Sequence, residues 1–193
     1  MCQHMTRFYE TSQFEFVSLL ESNWEIIKQE LNQLRQGNFI PWPEKFLYGQ
    51  GWDTFGLYAF GIKITKNCEL CPETTKLIEA IPNLTTAGFS SLAPGTHIAP
   101  HTGYPDGMLR CHLGLIVPEG CGIRVDIETR NWAEGKCFIF NDKLEHEAWN
   151  KGNSTRVVLL IDFKEPESPS DSSQLQQRQG FASIFNFLKG KKR

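Results

Sequence analysis

Two histidines and an arginine are spaced so that they could build a metal site facing a buried cation. His101 lies in PHTG, just after a turn, and His146 lies 45 positions later in the strand-like LEHEAW. Arg156 follows His146 by ten residues, at the start of an apolar run. Neutral imidazoles are common ligands of divalent metals, and the planar, always ionised fork of arginine suits a carboxylate. Hairpin-linked strands would set His146 and Arg156 side by side, ligand facing cation. The usual two-histidine iron site adds one carboxylate on the same face and leaves three positions open. In the common pattern that carboxylate follows the first histidine by two residues, a position held here by Gly103.

A metal opposite a buried cation is what non-haem iron chemistry with a keto-acid cosubstrate requires. The keto acid chelates iron at one end. Its far carboxylate, inside a dry barrel, must meet a charged partner or bear a large desolvation cost.

Rigid elements must hold such a site. From about residue 38, short runs rich in β-branched and aromatic residues alternate with Gly, Pro, Asn and Asp. The candidate strands are 52–62, 86–92, 109–117, 122–127, 136–140 and 156–163, with 71–81 a helical insertion. Regular short strands separated by turn signals predict a mainly β sandwich or barrel. Ahead of them Ser12 and Glu15 form a capping box. Val17, Leu20, Trp24, Ile27, Leu31 and Leu34 then make one apolar stripe at helical spacing, stopping near Gly37. A second Ser-x-x-Glu, Ser22 to Glu25, divides the stripe into two helices packed on the sheet. The expected organisation is one domain over 1–165, helical at about 12–36. A polar linker and a short basic amphipathic helix follow over 166–193, with Phe181, Ile184, Phe185 and Leu188 on one face. That tail reads as folding back on the domain, or as a peripheral membrane or partner contact through 180–193.

The bulk composition narrows the function classes. A net charge of -2 with 22% charged residues gives no field of one sign for a nucleic-acid partner. The start MCQHMTRFYE lacks the basic, then apolar, pattern of a signal peptide, and no run approaches a membrane span, so the cytoplasm is the expected compartment. Cys68 and Cys71 form one C-x-x-C with no second ligand pair at zinc spacing, and read as loop cysteines, oxidisable if exposed.

The stretches FSSLAPGTHIAPHTG, PHTGYPDGMLRCHLGLIVPEGCGIRV, WAEGKCFIFNDKLEHEAWN and STRVVLLIDF, with the strand GWDTFGLY, closely resemble the catalytic domain of the aspartyl/asparaginyl β-hydroxylase family. The resemblance spans about 46–163 and implies a double-stranded β-helix of jelly-roll or cupin-like form. It implies Fe(II) and the cosubstrate 2-oxoglutarate, and hydroxylation of the β-carbon of an aspartyl or asparaginyl residue in a peptide or protein, or of a small amino acid. By the same resemblance His101 and His146 would hold the metal, with water completing the shell at Gly103. Arg156 and Ser90 would grip the far carboxylate of 2-oxoglutarate, and His112 would touch its other end. Arg110 would hold a substrate carboxylate, Trp52 would line the pocket, and Asp142 would orient the metal histidine from a second layer. Gly103 also suggests weak retention of iron, which a Gly103→Asp change would raise.

Plainer readings stand beside these. His97 in PGTH reads as a turn histidine bonded to backbone. His112, Ser90 and Trp52 are compatible with ordinary core positions, and Asp106 in Tyr-Pro-Asp-Gly with a turn aspartate or a third ligand. At the level of function, a lipid or small-molecule hydroxylase and a catalytically inactive metal-binding β-barrel are the alternatives.

Overall fold

The computed structural model describes residues 5–103 and 108–164. Twelve strands and four α-helices follow in chain order. They are β1 (Phe8–Tyr9), α1 (Glu15–Ser22), α2 (Trp24–Gln33), β2 (Ile40–Pro41), β3 (Trp52–Ala59), β4 (Ile62–Lys63), α3 (Thr65–Leu70), α4 (Pro72–Glu79), β5 (Leu84–Leu92), β6 (His97–His101), β7 (Met108–Ile116), β8 (Cys121–Val125), β9 (Glu128–Arg130), β10 (Cys137–Asn141), β11 (His146–Asn150) and β12 (Arg156–Lys164).

Two antiparallel sheets carry the fold. The larger has eight strands in the order β1-β10-β7-β12-β5-β3-β2, with β4 on the edge of β3; the smaller runs β6-β11-β8-β9. The crossed strand orders are those of a jelly roll, in which neighbouring strands come from distant parts of the chain. The central strands β7 and β12 are buried along nearly their whole length. They can be apolar on both faces because each face is covered.

That double coverage produces two cores. On the outer face Phe55, Leu57, Phe89, Leu113, Leu159 and Ile161 meet Val17, Leu20, Ile27 and Leu31 of the helices. Between the sheets Trp52, Leu92, Val158 and Leu160 meet Ile98, Ile123 and Ala148. The two-residue period of a strand sorts β12 accordingly: Leu159 and Ile161 face the helices, while Arg156, Val158, Leu160 and Asp162 face inward.

The helices depart from the expected caps. The chain enters α1 through a 3-10 turn, Thr11–Gln13, and the N-cap is Phe14, without a side-chain cap. Ser12 therefore does not close a capping box. The stripe does break in two, but at Asn23 rather than Ser22, and α2 ends at Gln33, ahead of Gly37. The insertion is larger than expected, since α3 precedes α4. Cys68 sits on α3 and Cys71 at the α3–α4 junction; both are buried free thiols, and burial raises Cys71 to about 12.

The start of α4 is capped by another helix. Glu30 on α2 is buried, and its carboxylate accepts from Glu73 N (2.8 Å), Thr74 N (2.8 Å) and Thr74 Oγ1 (2.6 Å). Those amides lack partners within their own helix, and the N-terminal dipole favours an anion there. Replacing Glu30 with Ala is expected to lower the unfolding free energy by ~2 kcal/mol in urea titrations, with Glu30→Gln losing less.

Candidate functional site

His101 ends β6 and His146 begins β11, and the two are register partners in the smaller sheet. Their rings lie 4.2 Å apart between centroids, just before an irregularity in the pairing between His146 and Ala148. Each imidazole Nδ1 is tied to the carbonyl two residues earlier, His101 to Ala99 O and His146 to Leu144 O, both at 2.8 Å. A neutral ring that donates through Nδ1 keeps its lone pair on Nε2. Burial, reinforced by the charge of Arg110 and by His101, lowers His146 to about 3, so it stays neutral.

Arg156 faces this pair, but not from a neighbouring strand. Strand β11 belongs to the smaller sheet and β12 to the larger, so the ten-residue interval crosses the sandwich rather than closing a hairpin. The guanidinium is 2% exposed, donates from Nη1 to Ser90 O at 3.3 Å, and lies 4.6 Å over the Trp132 ring. Its Nε has no partner, and no carboxylate pairs with it among the described residues. Burial lowers it to about 10, which leaves it charged at neutral pH. Ser90 and His112 line the same chamber. Ser90 Oγ accepts from Trp52 Nε1 at 3.0 Å, and His112 Nδ1 accepts from Trp132 Nε1 at 3.2 Å.

Arg110 is arranged differently from the sequence-based expectation. Its Nε and Nη2 fork onto Asp162 at 2.6 and 2.9 Å, and its Nη1 lies 3.0 Å from Asp142 Oδ1. Burial works against this charge, but the Asp142 and Asp162 carboxylates outweigh it and raise the guanidinium. The fork assigned to a substrate carboxylate is thus filled by the chain's own. Arg110 nonetheless stands where the chamber, its mouth beside Trp42 and Trp52, and a larger groove meet.

Asp142 is completely buried, and its Oδ1 lies 3.4 Å from His146 Nε2. Both carboxylate oxygens and that nitrogen lack hydrogen-bond donors, the Arg110 approach being misaligned for one. Oδ1 and His146 Nε2 are thus two buried acceptors side by side with no proton between them, an arrangement that a cation would satisfy. Among the described residues no group of three or more His, Cys, Asp or Glu side chains is placed to hold a metal; the two imidazoles stand together, with Asp142 beside His146.

The family model described as aspartyl/asparaginyl beta-hydroxylase matches residues 21–166. The chain belongs to that family. It is 41% identical over 174 residues to an ornithine lipid ester-linked acyl 2-hydroxylase of Rhizobium tropici, covering 84% of this chain and 62% of that protein. It is 38% identical over 167 residues to an aspartyl/asparaginyl beta-hydroxylase of Homo sapiens, covering 82% of this chain and 22% of that one. The chain therefore spans less than two thirds of either relative. Among solved structures, a Pseudomonas putida prolyl-4-hydroxylase superposes with a TM-score of 0.49 at 14% identity, over 75% of this chain and 88% of that one.

For this family member the glycine at 103 has a steric cause. Gly103 N donates to Asp142 O at 2.8 Å, and a Cβ built there falls within the Asp142 carboxylate and 2.8 Å from that same carbonyl. Asp142 occupies the space in which a side chain at 103 would stand. A Gly103→Asp side chain would have to displace the Asp142 carboxylate, so the geometry argues against the expectation that it would tighten iron. His97 also differs: it begins β6 and binds the Glu147 carboxylate at 2.7 Å instead of backbone. Asp106, and the 180–193 tail, lie outside the described residues. No helix of the described residues is long and apolar enough to cross a membrane.

Trp132 and Asp162 were not singled out from sequence. Asp162 had a legible signal, an acid of the same parity as Arg156 within RVVLLIDF. Trp132 had none, since it reaches the chamber from the loop between β9 and β10.

Two outcomes are expected. Gly103→Ala and Gly103→Asp should each weaken iron(II) binding measured by calorimetry, and Gly103→Asp/Asp142→Ala should recover affinity relative to Gly103→Asp. Separately, the unfolded chain takes up a proton on residue 146 below its ordinary 6.5, whereas the folded chain refuses it until about 3. Stability is therefore full above pH 6.5 and declines as the pH falls toward 3. His146→Gln should flatten that acid limb in denaturant titrations of the metal-free chain. A residual slope should remain from His112, which burial and then Arg156 and Arg110 hold well below its ordinary value.

Proposed function

We propose that this chain is an iron(II)- and 2-oxoglutarate-dependent hydroxylase. The observation that carries the reading is Arg156, a buried cation with no carboxylate partner among the described residues, in one chamber with two imidazoles whose Nδ1 atoms are already engaged. A dicarboxylate that chelates a metal at the histidines and reaches the guanidinium answers both needs.

Under this reading His101 and His146 hold the metal through Nε2, and Asp142 balances charge behind them. Arg156 takes the far carboxylate of 2-oxoglutarate, with Ser90 beside it, and His112 meets the other end. Bound together, iron and 2-oxoglutarate would supply the oxidative chemistry with dioxygen as oxidant: one oxygen atom ends in succinate as the keto acid loses carbon dioxide, and the other converts a C–H bond to C–OH. The apolar walls from Ile98, Ile123, Phe140 and Leu160 keep water out, which strengthens every charge interaction inside.

Two substrate classes follow from the family. The first is the β-carbon of an aspartyl or asparaginyl residue, whose side chain would have to share Arg110 with Asp162. The second is a lipid, and one observation favours it. Beyond Arg110 a mostly apolar groove of about 460 Å³ runs past Ile40, Thr54, Tyr58, Ala87 and Leu160. An acyl chain is the group that gains most from such a surface.

Succinate release with iron(II) and 2-oxoglutarate tests the reading, using an Asp-containing peptide, free aspartate and an acylated amino-acid lipid in parallel. Turnover is expected with at least one, and a loss of about a hundredfold or more in His146→Ala. Metal binding without succinate from any of them would identify a binding module instead.

A further inference from the structure

The chamber holds three imidazoles with different tasks, and the ring alone cannot assign them. For His101 and His146 a backbone carbonyl accepts from Nδ1, so Nε2 is left as an acceptor. At His112 the neighbour of Nδ1 is the Trp132 indole, 3.2 Å away. An indole N–H can only donate, so His112 Nδ1 must accept, and the neutral ring carries its proton on Nε2. That Nε2 is buried with no partner. It is an unpartnered hydrogen-bond donor on a residue that lines the chamber.

The same arrangement recurs at Ser90. Trp52 Nε1 donates to the hydroxyl oxygen at 3.0 Å, which fills one of its two lone pairs and turns the O–H away from the indole. Trp132 adds a second contact: its ring lies under the Arg156 guanidinium at 4.6 Å, where cation–π attraction holds the fork in place. Both indoles are buried, Trp52 to 3% and Trp132 to 5% exposure, so water does not compete for these bonds.

We propose that Trp52 and Trp132 are positioning residues that set hydrogen-bond direction in the chamber, each filling a neighbour's acceptor so that the neighbour's own proton is presented to a bound dicarboxylate. The inference rests on the reading of the chamber as a 2-oxoglutarate site. It explains how one chamber can offer lone pairs to a cation and protons to an anion. Burial supports it by keeping His112 neutral, since its ordinary value is shifted well down.

Two measurements test it. The first is the 15N NMR signature of the His112 ring in the metal-free chain, which should report a single Nε2–H form. In Trp132→Phe, which keeps the ring under Arg156 but removes the N–H, the Nδ1–H form should appear. The second is calorimetric affinity for 2-oxoglutarate in the anaerobic iron(II)-loaded protein. It should fall about tenfold or more in Trp132→Phe and in Trp52→Phe, with iron affinity unchanged. An Nδ1–H form of His112 in the wild-type chain overturns the inference without any variant. So does a Trp132→Phe protein whose tautomer and 2-oxoglutarate affinity both match wild type. If the tautomer behaves as expected but the wild-type, iron-loaded chain does not bind 2-oxoglutarate, the cosubstrate reading fails and the hydrogen-bond assignment stands.

Discussion

The fork between Arg110 and Asp162 ties the site to the fold. The two residues are register partners on β7 and β12, the central strands of the larger sheet, and both are buried. Without the guanidinium, the Asp162 and Asp142 carboxylates would be left uncompensated in a dry interior, so the Arg110–Asp162 pair holds the two strands in one register. The third nitrogen of the same fork lies against Asp142 in the turn before β11. Asp142 in turn receives Gly103 N on its carbonyl and places its carboxylate beside His146. One buried ion cluster therefore links the larger sheet to the strand ends that carry both histidines.

Charge in the chamber is divided by position. At one end His146 Nε2 and the Asp142 carboxylate, which meets only the Arg110 guanidinium, lack hydrogen-bond donors, while Arg156 forms an end that lacks an anion among the described residues. Hydrophobic walls keep the ends apart and dry, which makes each deficit costly when empty and selective when filled. Under the proposed reading, a metal bound to one end of a dicarboxylate would bridge them.

The sequence by itself determined the elements and the principal chemistry-bearing residues. Short runs rich in β-branched and apolar residues, RVVLLIDF and MLRCHLGLI, marked the central strands, the helical stripe from Val17 to Leu34 marked the outer layer, and PHTG with LEHEAW marked the histidines. These signals are local, because strand and helix periods are written in neighbouring residues. Cap positions were less legible: Phe14 and Asn23 lead the helices, and Glu30 caps α4 from 43 residues away.

Only the tertiary structure decided who meets whom. Ten residues separate His146 from Arg156 in either arrangement, and only the crossed strand order puts them on facing sheets. The occupancy of Arg110 by Asp162, the filling of the space at Gly103 by Asp142, and the reach of Trp132 to His112 all join residues far apart in the chain. The physical reason is that such pairings are set by strand register and by the need to satisfy buried polar atoms, and neither is encoded in the spacing of any one segment.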